Sequence, residues 1–88
     1  MEYMVKSLFR MLVSDGYSFK FILNDVLLRE IDFASKKVVI FIDNESAIHK
    51  NKVIESEIKK NHETRVLRKN KKDIIDVLQN FDDYEFTC

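Results

Sequence analysis

The segment Arg29–His49, "REIDFASKKVVIFIDNESAIH", decides how this chain is read. Its centre, Val38 to Ile42, is an unbroken apolar run that suits a buried strand. Acids surround it: Asp32 stands upstream, Asp43 and Glu45 follow, and His49 comes four residues later. A buried strand has no need of carboxylates at its rim. Either these groups are solvated strand ends and helix caps, or they converge on something positively charged.

Outward from that segment, the pattern alternates helix and strand signals. "ASKK" reads as a turn, and Val26 to Phe33 as the strand before it. Asn24-Asp25 is a second turn signal, and Tyr17 to Leu23 alternates aromatic and polar residues as a strand does. These three strands are expected to form an antiparallel meander. Glu2 to Ser14 carries apolar residues at helical spacing, and Gly16 stops it. Downstream, His49 to Asn61 is expected to be a helix, with Ser46 as its cap and Ile54 and Ile58 on a narrow apolar face. Thr64 to Arg68 reads as a short strand. Lys71 to Phe81 places Ile74, Ile75, Leu78 and Phe81 on one face of a last helix. The expected order is α-β-β-β-α-β-α, an α/β fold with a mixed sheet flanked by helices.

At 88 residues, the chain is expected to be a single small domain, with 82–88 as a frayed acidic tail. No apolar run approaches the ~20 residues of a membrane span. The start lacks a charged-then-apolar signal pattern, and the one cysteine, Cys88, offers no disulfide framework. A cytoplasmic, intracellular protein is the expectation. The formal net charge is zero, yet the charge is segregated. Lys50 to Lys72 holds nine Lys/Arg against Glu55, Glu57 and Glu63, whereas Asp73 onward holds five acids and no base. A basic middle of this kind suits a polyanion, and equally a solvated helix face. Tyr17, Phe19, Phe21 and Phe41 are expected in the core. Arg65 and Arg68, three apart on a strand, are expected to face opposite sides.

Asp43 and Glu45 are two apart and share a face if the strand reaches them. With Asp32 and His49 they make a donor set suited to Mg²⁺ or Mn²⁺, an ion that could hold a phosphoryl oxygen and activate water.

Three stretches resemble a known family. Asp32-Phe33 followed by an apolar strand ending in Asp43-Asn44-Glu45, with His49 four residues on, is similar to the acidic signature of the PD-(D/E)XK nucleases. "SLFRMLVSDGYSFKF" and "RVLRKNKKDII" resemble the first helix and the final strand and helix of the branch containing very-short-patch-repair endonucleases and their small relatives. The two acids after the strand are exchanged relative to that pattern. The resemblance implies a minimal restriction-endonuclease-like core and metal-dependent cleavage of phosphodiester bonds in DNA or RNA. Asp32, Asp43 and Glu45 would be metal ligands and His49 a proton-transfer group. Lys50, Lys52, Arg65, Arg68, Lys69, Lys71 and Lys72 would hold the nucleic-acid backbone, and a homodimer would enlarge the core. The exchanged acids suggest an alternative: a catalytically inactive binding protein on the same scaffold, virus-encoded, inhibiting a host protein or nucleic-acid complex.

Overall fold

The computed structural model describes residues 2–34, 36–44 and 51–80. Helix α1 spans Glu2–Ser14, strands β1, β2 and β3 span Tyr17–Leu23, Val26–Ile31 and Lys37–Ile42, and helix α2 spans Lys52–Lys60. Strand β4, Thr64–Arg68, and helix α3, Lys71–Asn80, complete the order α-β-β-β-α-β-α. The expected fold class, a mixed sheet flanked by helices, is what the chain adopts.

The local punctuation has clear causes. Gly16 sits at φ +84°, in the left-handed region where a side chain would clash, and it turns α1 directly into β1. Asn24 and Asp25 both have positive φ, 52° and 65°, and join the paired Leu23 and Val26. That is the two-residue hairpin turn whose twist matches the flanking strands.

The expected meander is not formed. The sheet order is β2-β1-β3-β4, so β3 pairs with β1, in parallel, and β2 is an edge strand. The reason lies in burial. β3 is apolar on both faces and belongs inside the sheet, whereas β2 leaves Val26 58% and Leu28 46% exposed and is suited only to an edge. The short connection after β2 therefore passes across the foot of β1. β2 also bulges: Phe21 pairs with Arg29 and Ile22 with Leu27, which leaves Leu28 without an opposite residue.

Period-two alternation sorts the sheet into two faces. Tyr17, Phe19, Phe21, Val39 and Phe41 pack with Phe9, Leu12 and Val13 of α1 and Ile74 of α3. Ile22, Val38, Ile40 and Ile42 pack on the other side against Ile54 of α2. On the first face Phe21 and Phe41 are cross-strand neighbours with rings stacked at 5.0 Å and 9°. All four aromatics expected in the core are buried there.

Helix α2 is shorter than expected and starts at Lys52. Its cap is Asn51, whose side chain accepts from the Val53 amide at 2.9 Å and donates to the Asp25 carbonyl at 3.1 Å. Ser46 lies outside the described residues. Ile54 is fully buried as expected, but Ile58 is 51% exposed, and the inward position beside it belongs to Glu57.

Candidate functional site

In a parallel arrangement of β1, β3 and β4, chain ends that share chemistry collect at the carboxyl edge of the strands. Here that edge holds the Asn24-Asp25 turn, Asp43, Asn51 at the start of α2, and the run Arg68 to Lys72. Asp43 accepts a hydrogen bond from the Asn24 amide at 3.0 Å. The Lys69 amide donates to the Ile42 carbonyl at 2.9 Å, so the basic run starts one strand away from Asp43. Asn70 caps α3, its side chain accepting from Asp73 at 2.8 Å, and this fixes the helix start at the same edge. Arg68, Lys69, Lys71 and Lys72 are all exposed.

Asp32 is elsewhere. It follows β2, which runs antiparallel to β1, and so lies beside the beginning of β1. Ser18 donates to its carboxylate at 3.1 Å, the Ala34 amide donates to it at 2.7 Å, and the Phe33 amide returns to the Ser18 hydroxyl at 3.1 Å. Ser18 and Asn24 mark the two carboxylates' positions along β1. Six residues of strand separate them, roughly 20 Å at 3.3 Å per residue. Ligands of one divalent ion each lie within about 2.6 Å of it, so Asp32 and Asp43 do not share a cation. The expected three-carboxylate centre is therefore corrected: Asp32 closes the connection between β2 and β3 and leaves the site. Glu45, His49 and Lys50 lie outside the described residues, and among the described residues no group of three His, Cys, Asp or Glu is placed to hold a metal ion.

The consequence is testable. Asp32→Ala is expected to leave Mn²⁺ uptake measured by calorimetry unchanged, while lowering urea stability by about 1 kcal/mol through the lost hydrogen bonds. A loss of Mn²⁺ affinity in that variant would mean that the two ends of the sheet meet after all.

The expected nucleic-acid contacts divide in the same way. Lys52 opens α2 at the carboxyl edge, with Arg68, Lys69, Lys71 and Lys72. Arg65 does not join them. It lies on the opposite face from Arg68, as their spacing requires, with its guanidinium 5.4 Å from the centre of the Tyr17 ring. Lys37 flanks the same ring and pairs with Glu63 at 3.2 Å.

One polar cluster escaped the sequence reading. Lys20, in the middle of aromatic β1, points toward α2 and pairs with Glu57, and with Glu30 of β2 at 2.9 Å. The side chains of Lys20 and Glu57 are each only 11% exposed. Asn61 donates to the second Glu57 oxygen at 2.7 Å, so the carboxylate is satisfied at both ends. Burial alone would lower the Lys20 pKa. Hydrogen bonds and charge from Glu57 and Glu30 outweigh it and hold the ammonium above its ordinary 10.5. An amine held so firmly in its charged form is a structural cation and a poor nucleophile or base. The available signal was Lys20 itself, an inward cation on a strand whose two faces are both covered.

Among the described residues, no helix is long and apolar enough to cross a membrane. Comparison of the chain with protein-family models, curated proteins and solved structures finds no match.

Proposed function

We propose that this protein binds nucleic acid through its phosphates at the carboxyl edge of the sheet, without cleaving it. The observation that supports this reading is the separation of the two ends. Arg68, Lys69, Lys71 and Lys72 gather where β3, β4 and α3 meet, whereas Asp32, required for the three-carboxylate centre, is at the foot of β1. Cations on a rigid strand end and a capped helix start can track a phosphate backbone with little ordering cost. They carry affinity and no sequence preference.

The reading has a quantitative signature. Four phosphate contacts give a slope of log affinity against log salt of about −3.6 on duplex DNA and about −2.8 on a single strand. Raising salt from about 50 to about 200 mM should then weaken duplex binding on the order of 10²-fold. Fluorescence anisotropy of a labelled oligonucleotide measures this directly. The triple variant Lys69→Ala, Lys71→Ala, Lys72→Ala should flatten the slope by about 3. A slope untouched by the three changes would overturn the assignment of the site.

A second reading is favoured by one observation: Asp43 stands at the same edge as the cations. A smaller metal site for hydrolysis would need further ligands beside it, and the sequence offers Glu45 and His49, both outside the described residues. Cleavage of the same oligonucleotide in Mg²⁺ or Mn²⁺, abolished by Asp43→Ala and indifferent to Asp32→Ala, would select it over simple binding.

A further inference from the structure

The two flanks of the sheet are unlike. β2 carries a break in register, whereas β4 pairs with β3 over five consecutive residues without one. The Glu63 carbonyl accepts from the Val38 amide at 3.3 Å, and the Lys69 amide donates to the Ile42 carbonyl at 2.9 Å. Successive residues of a strand turn their backbone groups to opposite sides. Arg65 and Leu67, in step with Glu63 and Lys69, therefore direct theirs to β3. Thr64 and Val66 direct theirs outward, and among the described residues no strand pairs with that flank. The side chains are half-covered too. Val66 packs on the Ile54 side of the sheet and Leu67 on the Phe9 side, yet both are only half-buried, whereas their β3 neighbours Ile40 and Phe41 are buried. Arg65 shares a face with Leu67 and Arg68 with Val66, and both arginines are exposed. Exposed Lys59 and Lys60, in the last turn of α2, lead into the strand, and exposed Lys69 follows it. Glu63, the acid at its start, is paired with Lys37.

We infer that the outer flank of β4 receives an extended acidic peptide as a fifth strand. The peptide backbone pairs with the outward groups of Thr64 and Val66, and its alternate side chains meet the two faces. Residues directly opposite one another share a face, so the order Arg65-Val66-Leu67-Arg68 calls for acid–apolar–apolar–acid. That order is the same in both directions and serves a parallel or an antiparallel peptide. Its apolar pair completes the cover over Val66 and Leu67, and its acids answer the arginines. A second copy of the chain is a poor occupant. β4 laid on β4 brings four arginines together, and like charges opposed across strands are destabilising. The chain's own acid–apolar–apolar–acid sequence, Asp73-Ile74-Ile75-Asp76, is built into α3 with Ile74 buried. A DNA backbone offers acceptors for the outward amides but no donors for the outward carbonyls. The flank shares Arg68 with the phosphate site proposed above, but its recognition does not depend on that reading.

The probe is a peptide of roughly ten residues, capped at both ends, with Glu-Val-Val-Asp at its centre. In the free protein the Val66 amide should exchange quickly with solvent, while the Arg65 and Leu67 amides, directed to β3, exchange slowly. Saturating peptide should slow Val66 exchange by about ten-fold or more. Arg65→Glu should weaken peptide binding roughly ten-fold. One of the two peptides in which Lys replaces a single acid should restore it, and which one does so reports the strand direction. Val66→Pro removes only an outward N–H, a change that edge strands tolerate, and should abolish binding. If that variant fails to fold, the charge swap at Arg65 decides alone. An absence of peptide binding, or binding that leaves Val66 exchange unchanged, would overturn the inference. So would protection of the Val66 amide by an oligonucleotide, or by concentration-dependent self-association of the free protein.

Discussion

Glu57→Ala should cost about 3 kcal/mol of folding stability, far more than a helix-surface glutamate is worth. The change removes the main partner of a cation held between β1 and α2 and leaves that cation in a poorly hydrated position. Glu30, 2.9 Å from Lys20 and half exposed, keeps part of the compensation. This places the estimate at the low end of the range for a broken buried pair. In a chain of this size the loss corresponds to a melting temperature lower by roughly 12–24 °C. Replacing both partners with apolar residues, Lys20→Met with Glu57→Leu, should restore most of the loss, because no charge is then stranded. A single-variant cost below about 1 kcal/mol would show that water reaches Lys20 freely. The pair also sets an alkaline limit. Lys20 is charged in folded and unfolded chains alike below 10.5, where its contribution is complete. Its folded pKa is raised, so the unfolded chain releases the proton first, and the contribution is lost as pH rises through the folded value. Stability should therefore fall in strong alkali in the native protein, and more gently in the double apolar variant.

Phe19→Ala should be still more damaging, about 3–5 kcal/mol, comparable to the whole stability of many domains this small. The ring is fully buried and touches three others: Phe9 at 5.2 Å, Phe33 at 5.7 Å and Phe41 at 6.1 Å. Phe9 and Phe33 meet it edge-on, the arrangement in which the positive rim of one ring faces the negative face of the other. Removing it opens a void among α1, β1 and β3, which are too tightly connected to collapse into it. Phe19→Leu, which fills most of that space, should cost much less. Urea unfolding followed by circular dichroism separates the two variants. Similar losses from both would mean that the site relaxes and that the aromatic cluster is not the keystone assigned to it.

What could be read from the chain, and what could not, divides along physical lines. Element existence depends on local periodicity, and the helices and strands expected from it appear within a few residues of their predicted limits. The Asn24-Asp25 turn was legible because two adjacent left-handed residues are chemically selective. Sheet order was not, since it depends on which strand needs burial on two sides. The exposed Val26, Leu27 and Leu28 could be recognised as an edge only once β3 was seen to occupy the centre. The error about Asp32 has a sharper cause. β3 runs opposite to β2, so the end of β2, where Asp32 lies, is level with the beginning of β3, and the six residues of β3 then carry Asp43 to the other end of the sheet. A linear motif lists residues by order, whereas a shared ligand requires them at one end of the sheet. Glu57 was missed because a charged helical residue is ordinarily a solvent-facing one. Only the inward cation across from it reverses that expectation.

The supernumerary Leu28 has a bearing on how the molecule behaves in a crowd. An outer strand with three greasy residues in succession invites a neighbour to lie alongside and extend the ladder from molecule to molecule. The kink at Leu28 puts the donors and acceptors on that flank out of step for a straight visitor, so an incoming strand can match one half of it or the other, but not both. The register shift thus shortens the stretch over which another strand could pair along this rim, and deleting Leu28 would straighten it.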